Sequence, residues 1–245
     1  MKSLFIKEPK VNMNHLNSIA IYSANFGNYR NEIEDGIDNI FFDKNIDYYF
    51  FTDNAKITSN KWNVILQPLQ PKLDFIDSFR HTSKYLKFVV PKILHKYDII
   101  IWVDSKSLKL LKCSNEKIMD LFVPLNYSFF ILRHPRRKTA QQEIKATCNS
   151  EQEDVNNGNA FLNKIRNIKF NIDLPDTTCL IYKNTADNIL ILQRIYDSLI
   201  ENGLRRDQNV IQHVFLENNY ESNVSYFAFG ADGVEPAVQL SPLRK

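Results

Sequence analysis

The feature that most constrains the fold is an unbroken apolar run from Ile99 to Val103, which leads directly into Asp104. Isoleucine, valine and tryptophan favour an extended strand, because branched and aromatic side chains fit the pleated surface of a sheet. A strand that is apolar on both faces has to be covered on both faces, which is typical of a parallel sheet between layers of helices. We therefore predict an α/β fold with this strand at its centre.

The other predicted elements alternate in the way that an α/β fold requires. Short apolar runs predict further strands at 18–24, 48–52, 62–66, 128–132 and 178–182. Amphipathic segments predict helices at 74–94, 140–145, 160–168, 185–200 and 207–216. Pro91 should kink the helix over 74–94 or end it early, because proline lacks the amide hydrogen that a helix needs.

The length of 245 residues fits a single domain, which we place at 18–230, between an N-terminal extension (1–17) and a C-terminal tail (231–245). The net charge of +3 is too small to indicate a nucleic-acid-binding protein and suits anionic small molecules better. The three cysteines, Cys113, Cys148 and Cys179, show no paired spacing. We therefore expect reduced structural thiols instead of disulfides or a zinc site.

The apolar runs are all of strand length, far short of the about 20 residues that a membrane-spanning helix needs. The N-terminus has no apolar stretch of signal-peptide length and no small-residue cleavage pattern. We expect a cytoplasmic protein with no transmembrane segment, and we leave peripheral contact with a membrane surface open.

Asp104 is the first candidate for chemistry, because it follows the buried strand directly. A carboxylate at such a position is costly to hold unless it is exposed, hydrogen-bonded or bound to a cation. In open α/β sheets, ligands bind in the crevice outside the carboxyl ends of the strands, which is where Asp104 is expected. A turn or cap residue is the structural alternative for a single aspartate at a strand end.

The helix predicted over 74–94 has a basic face, on which Arg80, Lys84 and Lys87 lie at i, i+4 and i+7. Such a face suits contact with a diphosphate, since arginine binds phosphate in a bidentate way and lysine acts as a point charge. A solvated helix face is the alternative. The residues expected on the opposite, buried stripe are Phe75, Phe79, Leu86, Val89, Val90 and Ile93.

Six sequence blocks, in order between Ile19 and Phe215, resemble the glycosyltransferase-like domain family whose plant members act in seed-mucilage polysaccharide synthesis. The blocks are IAIYSANFGNY, DYYFFTDN with the following Trp62, RHTSKYLKFVVPKILHKYDIIIWVDSKSLKL, LRHPRRKTAQQEI, LPDTTCLIYKN and LRRDQNVIQHVF. The resemblance implies a single GT-A-like (Rossmann-like) domain, with a mixed, mainly parallel central sheet flanked by helices. It also implies glycosyl transfer in polysaccharide biosynthesis.

The resemblance further implies that Asp104 binds Mn²⁺ or Mg²⁺ at the donor diphosphate, as an Asp-x-Asp motif does in this fold. Here Lys106 stands at the second acidic position, and a protonated lysine cannot bind a divalent cation. Two alternatives stay open. Either Asp104 holds the metal with help from elsewhere, or Lys106 stabilises the diphosphate itself. We expect the metal-dependent arrangement, with Arg80, Lys84 and Lys106 adding positive charge.

The nucleoside of the donor is expected at the turn after the first strand. Phe26 or Tyr29 would stack on the base, and Asp53 would hydrogen-bond the base edge or the ribose. The turn lacks the glycine spacing of a phosphate-binding loop or dinucleotide fingerprint.

Three carboxylates are candidates for catalysis: Glu143, Asp176 and Asp207. Glu143 could act as a general base for the acceptor, or it could pair with Arg136 or Arg137 and hold a loop. Asp207 fits the N-cap of a predicted helix, whereas the resemblance implies that it faces the sugar or acceptor. The further candidates for sugar or acceptor contacts are His134, Arg136, Thr177 and Gln208.

We therefore expect a glycosyltransferase that moves a sugar from a nucleoside-diphosphate sugar, with a UDP-sugar as the first choice. Its acceptor would be a hydroxyl group of a glycan, lipid or protein. A nucleotidyltransferase on a related fold is the enzymatic alternative, and it would release pyrophosphate. A catalytically silent nucleotide-sugar-binding or scaffold protein is the non-enzymatic alternative, which the lysine at position 106 keeps open.

Overall fold

The strands form close to where the apolar runs predict them. The computed structural model describes residues 18–33, 36–110, 112–122, 127–227 and 238–239. The strands are β1 Ile19–Asn25, β2 Asp47–Thr52, β3 Asn63–Leu66, β4 Ile99–Val103, β5 Lys112–Cys113, β6 Phe129–Arg133, β7 Pro175–Lys183, β8 Val224–Phe227 and β9 Val238–Gln239.

Seven of these strands form one sheet in the order β3-β2-β1-β4-β7-β6-β8, and β5 pairs separately with β9. Strand β1 pairs in parallel with β2 and β4, β2 with β3, and β6 with β8. Strand β7 runs antiparallel between β4 and β6. The predicted α/β class with a mixed, mainly parallel sheet is therefore confirmed.

In the part of the chain that the structure describes, six α-helices flank the sheet. They are α1 Ser78–Phe88, α2 Asn115–Phe122, α3 Ala140–Asn149, α4 Val155–Ile165, α5 Ala186–Glu201 and α6 Ile211–Glu217. The sequence patterns did not predict α2, whereas the other five helices overlap predicted segments. Helix α6 is preceded by a 3-10 turn at Asp207–Asn209, so the predicted helix over 207–216 is divided.

The two faces of β4 enter two different apolar clusters. Ile100 and Trp102 pack with residues of α1, α3, α4, α5 and α6. Ile99, Ile101 and Val103 pack with residues of α2 and of the segments that precede β2 and β3. All five side chains of β4 are buried, as expected for a central strand covered on both faces.

Helix α1 is shorter than the predicted helix over 74–94. It begins after Asp77, whose side chain accepts a hydrogen bond from the Arg80 amide at 2.8 Å and so caps the helix. It ends at Phe88, ahead of Pro91, so the predicted early end is confirmed. The residue before a proline is disfavoured in helical conformation, which explains why the helix does not continue.

The buried stripe predicted for this helix is partly wrong. Leu86 and Val90 are buried, but Phe79 is 41% and Ile93 is 45% exposed. Ile93 lies beyond the end of α1, and the Phe79 ring instead lies over the Gly27 turn, within 2.8 Å of where a Cβ atom at Gly27 would stand. The apolar periodicity therefore described α1 only over its C-terminal half.

The predicted domain borders fall mostly outside the described part of the chain. Residues 1–17 lie outside it, as do 231–237 and 240–245 of the predicted tail. The tail residues Val238–Gln239 pair antiparallel with β5. Cys148 and Cys179 are buried cysteines that are not joined in a disulfide, and the side chain of Cys113 lies outside the described part.

Among the helices of the described residues, none combines the length and the apolar composition that crossing a bilayer requires.

One edge of the sheet collects polar residues from three strands. Strands β1 and β4 are parallel, so Asn25 and the residue after β4, Asp104, lie at the same edge. Strand β7 runs the other way and begins at this edge, where the Asp104 amide donates to the Thr178 carbonyl at 2.9 Å. The carboxyl ends of parallel strands are the usual position of ligand sites in such sheets.

The packing of the central sheet predicts a contrast between two leucines. Leu180 in β7 is fully buried between β4 and β6, whereas Leu190 on α5 is 50% exposed. We expect Leu180→Ala to lower the free energy of unfolding by about 2 to 5 kcal/mol, because it leaves a cavity. The control, Leu190→Ala, should change it by about 0.5 kcal/mol or less. Urea denaturation measures both, and equal effects would contradict the assigned core.

Candidate functional site

Five charged side chains meet at the polar edge of the sheet, and we call them the lysine-aspartate cluster: Lys84, Lys87, Asp104, Lys106 and Asp207. The Lys87 ammonium nitrogen lies 3.2 Å from Oδ1 of Asp104 and 3.0 Å from Oδ2 of Asp207. The Lys84 ammonium lies 2.9 Å from Oδ1 of Asp207. The Lys106 ammonium lies 3.6 Å from Oδ2 of Asp104. One ammonium group thus bridges two carboxylates, and a further lysine flanks each of them.

Helix α1 supplies Lys84 and Lys87, which lie at i and i+3 and therefore on the same face. This basic face lies against the end of β4. As a result Lys87 is buried, with 2% of the residue exposed. Lys87 is predicted on the basic face of the helix but is not among the residues predicted to add positive charge at the diphosphate, Arg80, Lys84 and Lys106. The spacing of Lys87 from Lys84 could have indicated that both lysines belong to one site. The burial of Lys87 does not follow from this spacing, because it depends on carboxylates from distant segments of the chain.

Asp207 enters the cluster from the 3-10 turn before α6. Thr177, near the start of β7, donates from Oγ1 to Oδ2 of Asp207 at 2.9 Å. Val210 is the N-cap of α6 and makes no side-chain capping bond, so the interpretation of Asp207 as a helix cap is wrong. The Asp207 carboxylate instead forms ion pairs with Lys84 and Lys87.

The charges of the cluster shift one another's pKa values. Burial is the largest influence on both carboxylates and would raise their pKa values, but the lysines outweigh it. The pKa of Asp104 is lowered, and the pKa of Asp207 is held well below its usual value. Burial lowers the pKa of Lys84. Burial also opposes the charge of Lys87, but the two carboxylates outweigh it and raise its pKa. With all five groups ionised, the cluster carries one net positive charge.

Glu153 holds the segment that carries Asp207. Its carboxylate accepts hydrogen bonds from the amides of Arg205 at 2.9 Å and Arg206 at 3.1 Å, and from the Asn209 side chain at 2.8 Å. Glu153 is itself buried, so these bonds replace the water that its carboxylate loses. No local sequence pattern marks this residue, because its donors come from a distant turn.

Two further polar groups at the sheet edge were not predicted. The Trp102 indole nitrogen donates to Oδ1 of Asp104 at 2.8 Å. Asn25, buried at the end of β1, donates to the Ser105 hydroxyl at 3.4 Å and to the Tyr29 carbonyl at 3.3 Å. The alternation of β4 could have indicated the first contact, since positions 102 and 104 share one face of a strand.

Arg80 does not join the lysine-aspartate cluster. Its guanidinium group pairs with Asp77 at 3.4 Å and lies 5.8 Å from the centre of the Tyr29 ring. Arg80 is exposed, as are the neighbouring turn residues, and the Tyr29 ring is half-buried. Of the three basic residues predicted on α1, two therefore face the strand end and one faces the turn after β1.

The two other residues predicted for the nucleoside have different surroundings. Phe26 is 2% exposed and belongs to the apolar core, so of the two predicted alternatives for stacking on a base, Phe26 or Tyr29, the structure favours Tyr29. Asp53 accepts a hydrogen bond from the Gly27 amide at 3.0 Å. Gly27 has a φ of 62°, which favours glycine, so Asp53 supports a turn of defined conformation.

Glu143 is fully buried in a second ionic cluster. Its Oε2 accepts from Nε of Arg137 and lies 3.5 Å from Nε2 of His134, and its Oε1 lies 3.4 Å from the Arg206 guanidinium. Of the two predicted alternatives, pairing with Arg137 is the one observed. Glu143 therefore holds the loop after β6 and does not face open solvent.

His134 and Gln208, which are predicted to contact the sugar or acceptor, both have partners within the protein. Nδ1 of His134 accepts from the amides of Arg136 at 3.2 Å and Arg137 at 2.9 Å, and burial lowers the pKa of His134. The Arg136 side chain is exposed. Gln208 accepts from the Arg206 guanidinium at 2.6 Å.

Asp176 differs from the other candidate acids. Its Oδ1 accepts from the Thr178 amide at 2.8 Å, and it makes no ion pair within the residues that the structure describes. It stands beside Thr177 at the start of β7, the edge at which Asp104 lies. Asp176 is therefore a carboxylate of this edge whose charge is not already neutralised by a lysine or arginine contact.

The cluster does not fit the predicted Mn²⁺ or Mg²⁺. Such an ion needs free oxygen ligands at about 2.0 to 2.6 Å. Oδ1 of Asp104 already accepts from Trp102 and Lys87, and Oδ2 faces Lys106. Within the described ranges, no group of three or more histidine, cysteine, aspartate or glutamate side chains is placed to hold a metal.

Comparison with known proteins identifies the fold. No protein-family model and no curated protein matches the chain. The chain is similar to the apo structure of the bifunctional glycosyltransferase WbbM, with a TM-score of 0.51 and 12% identity over 93% of this chain. It spans 40% of the length of that chain. The protein therefore has the GT-A-like fold that the sequence predicts, as a single α/β domain with a seven-stranded sheet.

A second similar structure is apo mouse xyloside xylosyltransferase 1, with a TM-score of 0.47 and 11% identity over 86% of this chain and 85% of that chain. The resemblance to the plant seed-mucilage family stays a prediction, since no family model matches.

The buried charges of the cluster predict a pH effect. Asp207→Asn leaves two lysines without their carboxylate, so we expect a loss of about 3 to 5 kcal/mol in the free energy of unfolding at pH 7. A lowered carboxyl pKa stabilises the folded state above the unfolded pKa of about 4, and this stability is lost as the pH falls further. The variant should therefore lose less additional stability than the wild type between about pH 5 and pH 2.

Urea denaturation at several pH values measures this difference. Asp187→Asn is the control, because Asp187 is exposed in the first turn of α5. Parallel stability curves for the wild type and Asp207→Asn would contradict the ionised, paired state of Asp207.

Proposed function

We propose that this protein is a glycosyltransferase that uses a nucleoside-diphosphate sugar. The observation that carries the proposal is the lysine-aspartate cluster, which has a net positive charge and lies at the strand ends of a GT-A-like sheet. An anionic diphosphate suits such a crevice, because positive charges attract it more strongly at a partly buried site, where the dielectric constant is lower than in water. Lys84 and Lys106 are the partly exposed lysines of the cluster, and we assign the diphosphate contacts to them.

We assign the nucleoside to the turn after β1, with a UDP-sugar as the first donor to test. Tyr29 is half-buried next to Arg80, and the exposed Phe79 ring packs on the same turn. Aromatic and arginine side chains bind the flat face of a base by stacking. Asp53, which holds the Gly27 amide, gives the turn a fixed shape and leaves carboxylate lone pairs for a ribose hydroxyl.

The reaction that we propose forms a bond between an acceptor hydroxyl oxygen and the anomeric carbon of the donor sugar. The bond from that carbon to the diphosphate oxygen breaks, and its electron pair leaves with the nucleoside diphosphate. Lys84 and Lys106 would stabilise the negative charge that develops on this leaving group. The hydroxyl proton needs a base where the transfer inverts the anomeric centre.

Among the three predicted acids, we assign the acceptor side to Asp176. The low pKa of Asp207 makes it a weak base, and its oxygens are occupied by Lys84, Lys87 and Thr177. Glu143 is fully buried and pairs with Arg137, whereas Asp176 is 9% exposed and makes no ion pair within the described residues. A general base needs a carboxylate that can reach the acceptor hydroxyl. We also propose that the acceptor is a hydroxyl group of a glycan, lipid or protein. A role in polysaccharide synthesis and a cytoplasmic location are further parts of the proposal.

A donor-binding experiment tests the function. The wild type should be stabilised against heat by UDP or GDP, since a ligand that binds the native state raises its stability. Lys84→Ala should weaken diphosphate binding by about 1 to 3 kcal/mol and leave nucleoside binding unchanged. Arg80→Ala should have the smaller effect on the diphosphate, because Arg80 faces the turn and not the strand end.

Turnover measurements with UDP-sugars then separate the alternatives. Asp104→Asn should reduce transfer by about 100-fold or more. Near wild-type turnover of this variant would remove Asp104 from the site. Release of pyrophosphate would identify a nucleotidyltransferase, and tight donor binding without any product would identify a silent binding protein.

Asp176→Asn tests the assignment of the acceptor side. It should lower kcat by about 10² to 10⁴, the range for loss of a general base, and leave nucleoside-diphosphate affinity unchanged. Asp173→Asn is a nearby control, because Asp173 pairs with the exposed Arg133 at 3.0 Å. An unchanged kcat for Asp176→Asn would exclude Asp176 as the base.

A further inference from the structure

The position of Lys87 is unusual for a lysine in a phosphate-binding site. Lys87 is 2% exposed, and its ammonium nitrogen lies between the carboxylates of Asp104 and Asp207, which come from different parts of the chain. The nitrogen also lies 5.7 Å from the Trp102 ring and 5.6 Å from the Phe88 ring, so apolar groups surround the pair. A buried ammonium group is stable only when it is well paired, and here it has two anionic partners.

A divalent cation bridging Asp104 and Asp207 would need the space between their facing oxygens. That space is taken by the Lys87 nitrogen, which contacts one oxygen of each carboxylate at 3.2 Å and 3.0 Å. These distances are those of N–H···O hydrogen bonds, so the facing oxygen of each carboxylate already has the ammonium group as its partner. A cation bound alongside would also be repelled by the flanking Lys84 and Lys106.

The flanking lysines still have donors for an anion. An ammonium group carries three hydrogens. Lys84 contacts Asp207, and Lys106 contacts Asp104 at the longer distance of 3.6 Å, with 40% of its side chain exposed. Both therefore present positive charge to the crevice, while the carboxylates hold them in place.

We propose that the Lys87 ammonium group takes the place of the divalent cation in this site. On this arrangement the donor diphosphate is bound by Lys84 and Lys106 without a metal. This inference rests on the proposed function, because it concerns the diphosphate of the nucleotide-sugar donor. Lys87 is a positioning residue: it keeps both carboxylates ionised and fixed, and they in turn hold the two lysines that contact phosphate.

Isothermal titration of the wild type with UDP and with GDP, in EDTA and in Mn²⁺, is the first test. We expect the nucleotide that binds to do so with the same affinity in both buffers. Binding that appears only with Mn²⁺ would overturn the metal-free site and leave the proposed function intact. Binding of neither nucleotide in either buffer, by a folded protein, would overturn the proposed function itself.

Two substitutions extend the test. Lys87→Met keeps the apolar stem and frees the two carboxylates, so this variant should bind Mn²⁺, detected by electron paramagnetic resonance, whereas the wild type should not. Lys106→Asp leaves the buried bridge intact and places a second carboxylate beside Asp104. It should weaken nucleotide binding in EDTA by about tenfold or more, with recovery in Mn²⁺.

The matched control is Lys145→Met, since Lys145 is exposed on α3 outside the cluster, and it should behave as the wild type in both assays. If Lys87→Met does not fold, Lys106→Asp still decides the question. Equal Mn²⁺ binding by the wild type and Lys87→Met, or a Lys106→Asp variant with unchanged affinity in EDTA, would overturn the proposal.

Discussion

The buried ammonium group of Lys87 is the interaction on which the arrangement of the site depends. A charge in the protein interior is costly unless it is paired, so α1 can pack against the sheet only where carboxylates meet this lysine. Asp104 supplies one from the end of β4, and Asp207 supplies the other from the turn before α6. One side chain thus fixes the relative positions of a helix, a strand end and a turn.

The sheet topology explains why these groups converge. The antiparallel strand β7 lies next to the parallel β4, so the first residues of β7 stand where β4 ends. From this position the Thr177 hydroxyl donates a hydrogen bond to Asp207, and the Thr178 carbonyl accepts one from the Asp104 amide. The turn that carries Asp207 is held from its other side by Glu153. The cluster is therefore held from both sides by hydrogen bonds within the protein.

The sequence predicted the elements better than the pairings. The apolar run of β4 and the strand-end position of Asp104 are local patterns, and the structure confirms both. The burial of Lys87 could not be predicted, because its partner Asp207 lies far along the chain. Phe26 shows the same limit, since an aromatic residue in a turn can enter the core as readily as a ligand site. The Glu143 pairing was one of two alternatives that local spacing alone could not separate.

The long sequence separation between Lys87 and Asp207 has a consequence for how the chain folds. Strands β1 to β4 and helix α1 are synthesised well before the turn that carries Asp207. Until that turn docks, the Lys87 ammonium group has the Asp104 carboxylate as its partner in the cluster but lacks the Asp207 carboxylate. Contacts between distant segments form late, because the loop between them has to close first. The final packing of α1 should thus coincide with docking of the C-terminal helices, so that the binding crevice appears only in a fully folded chain.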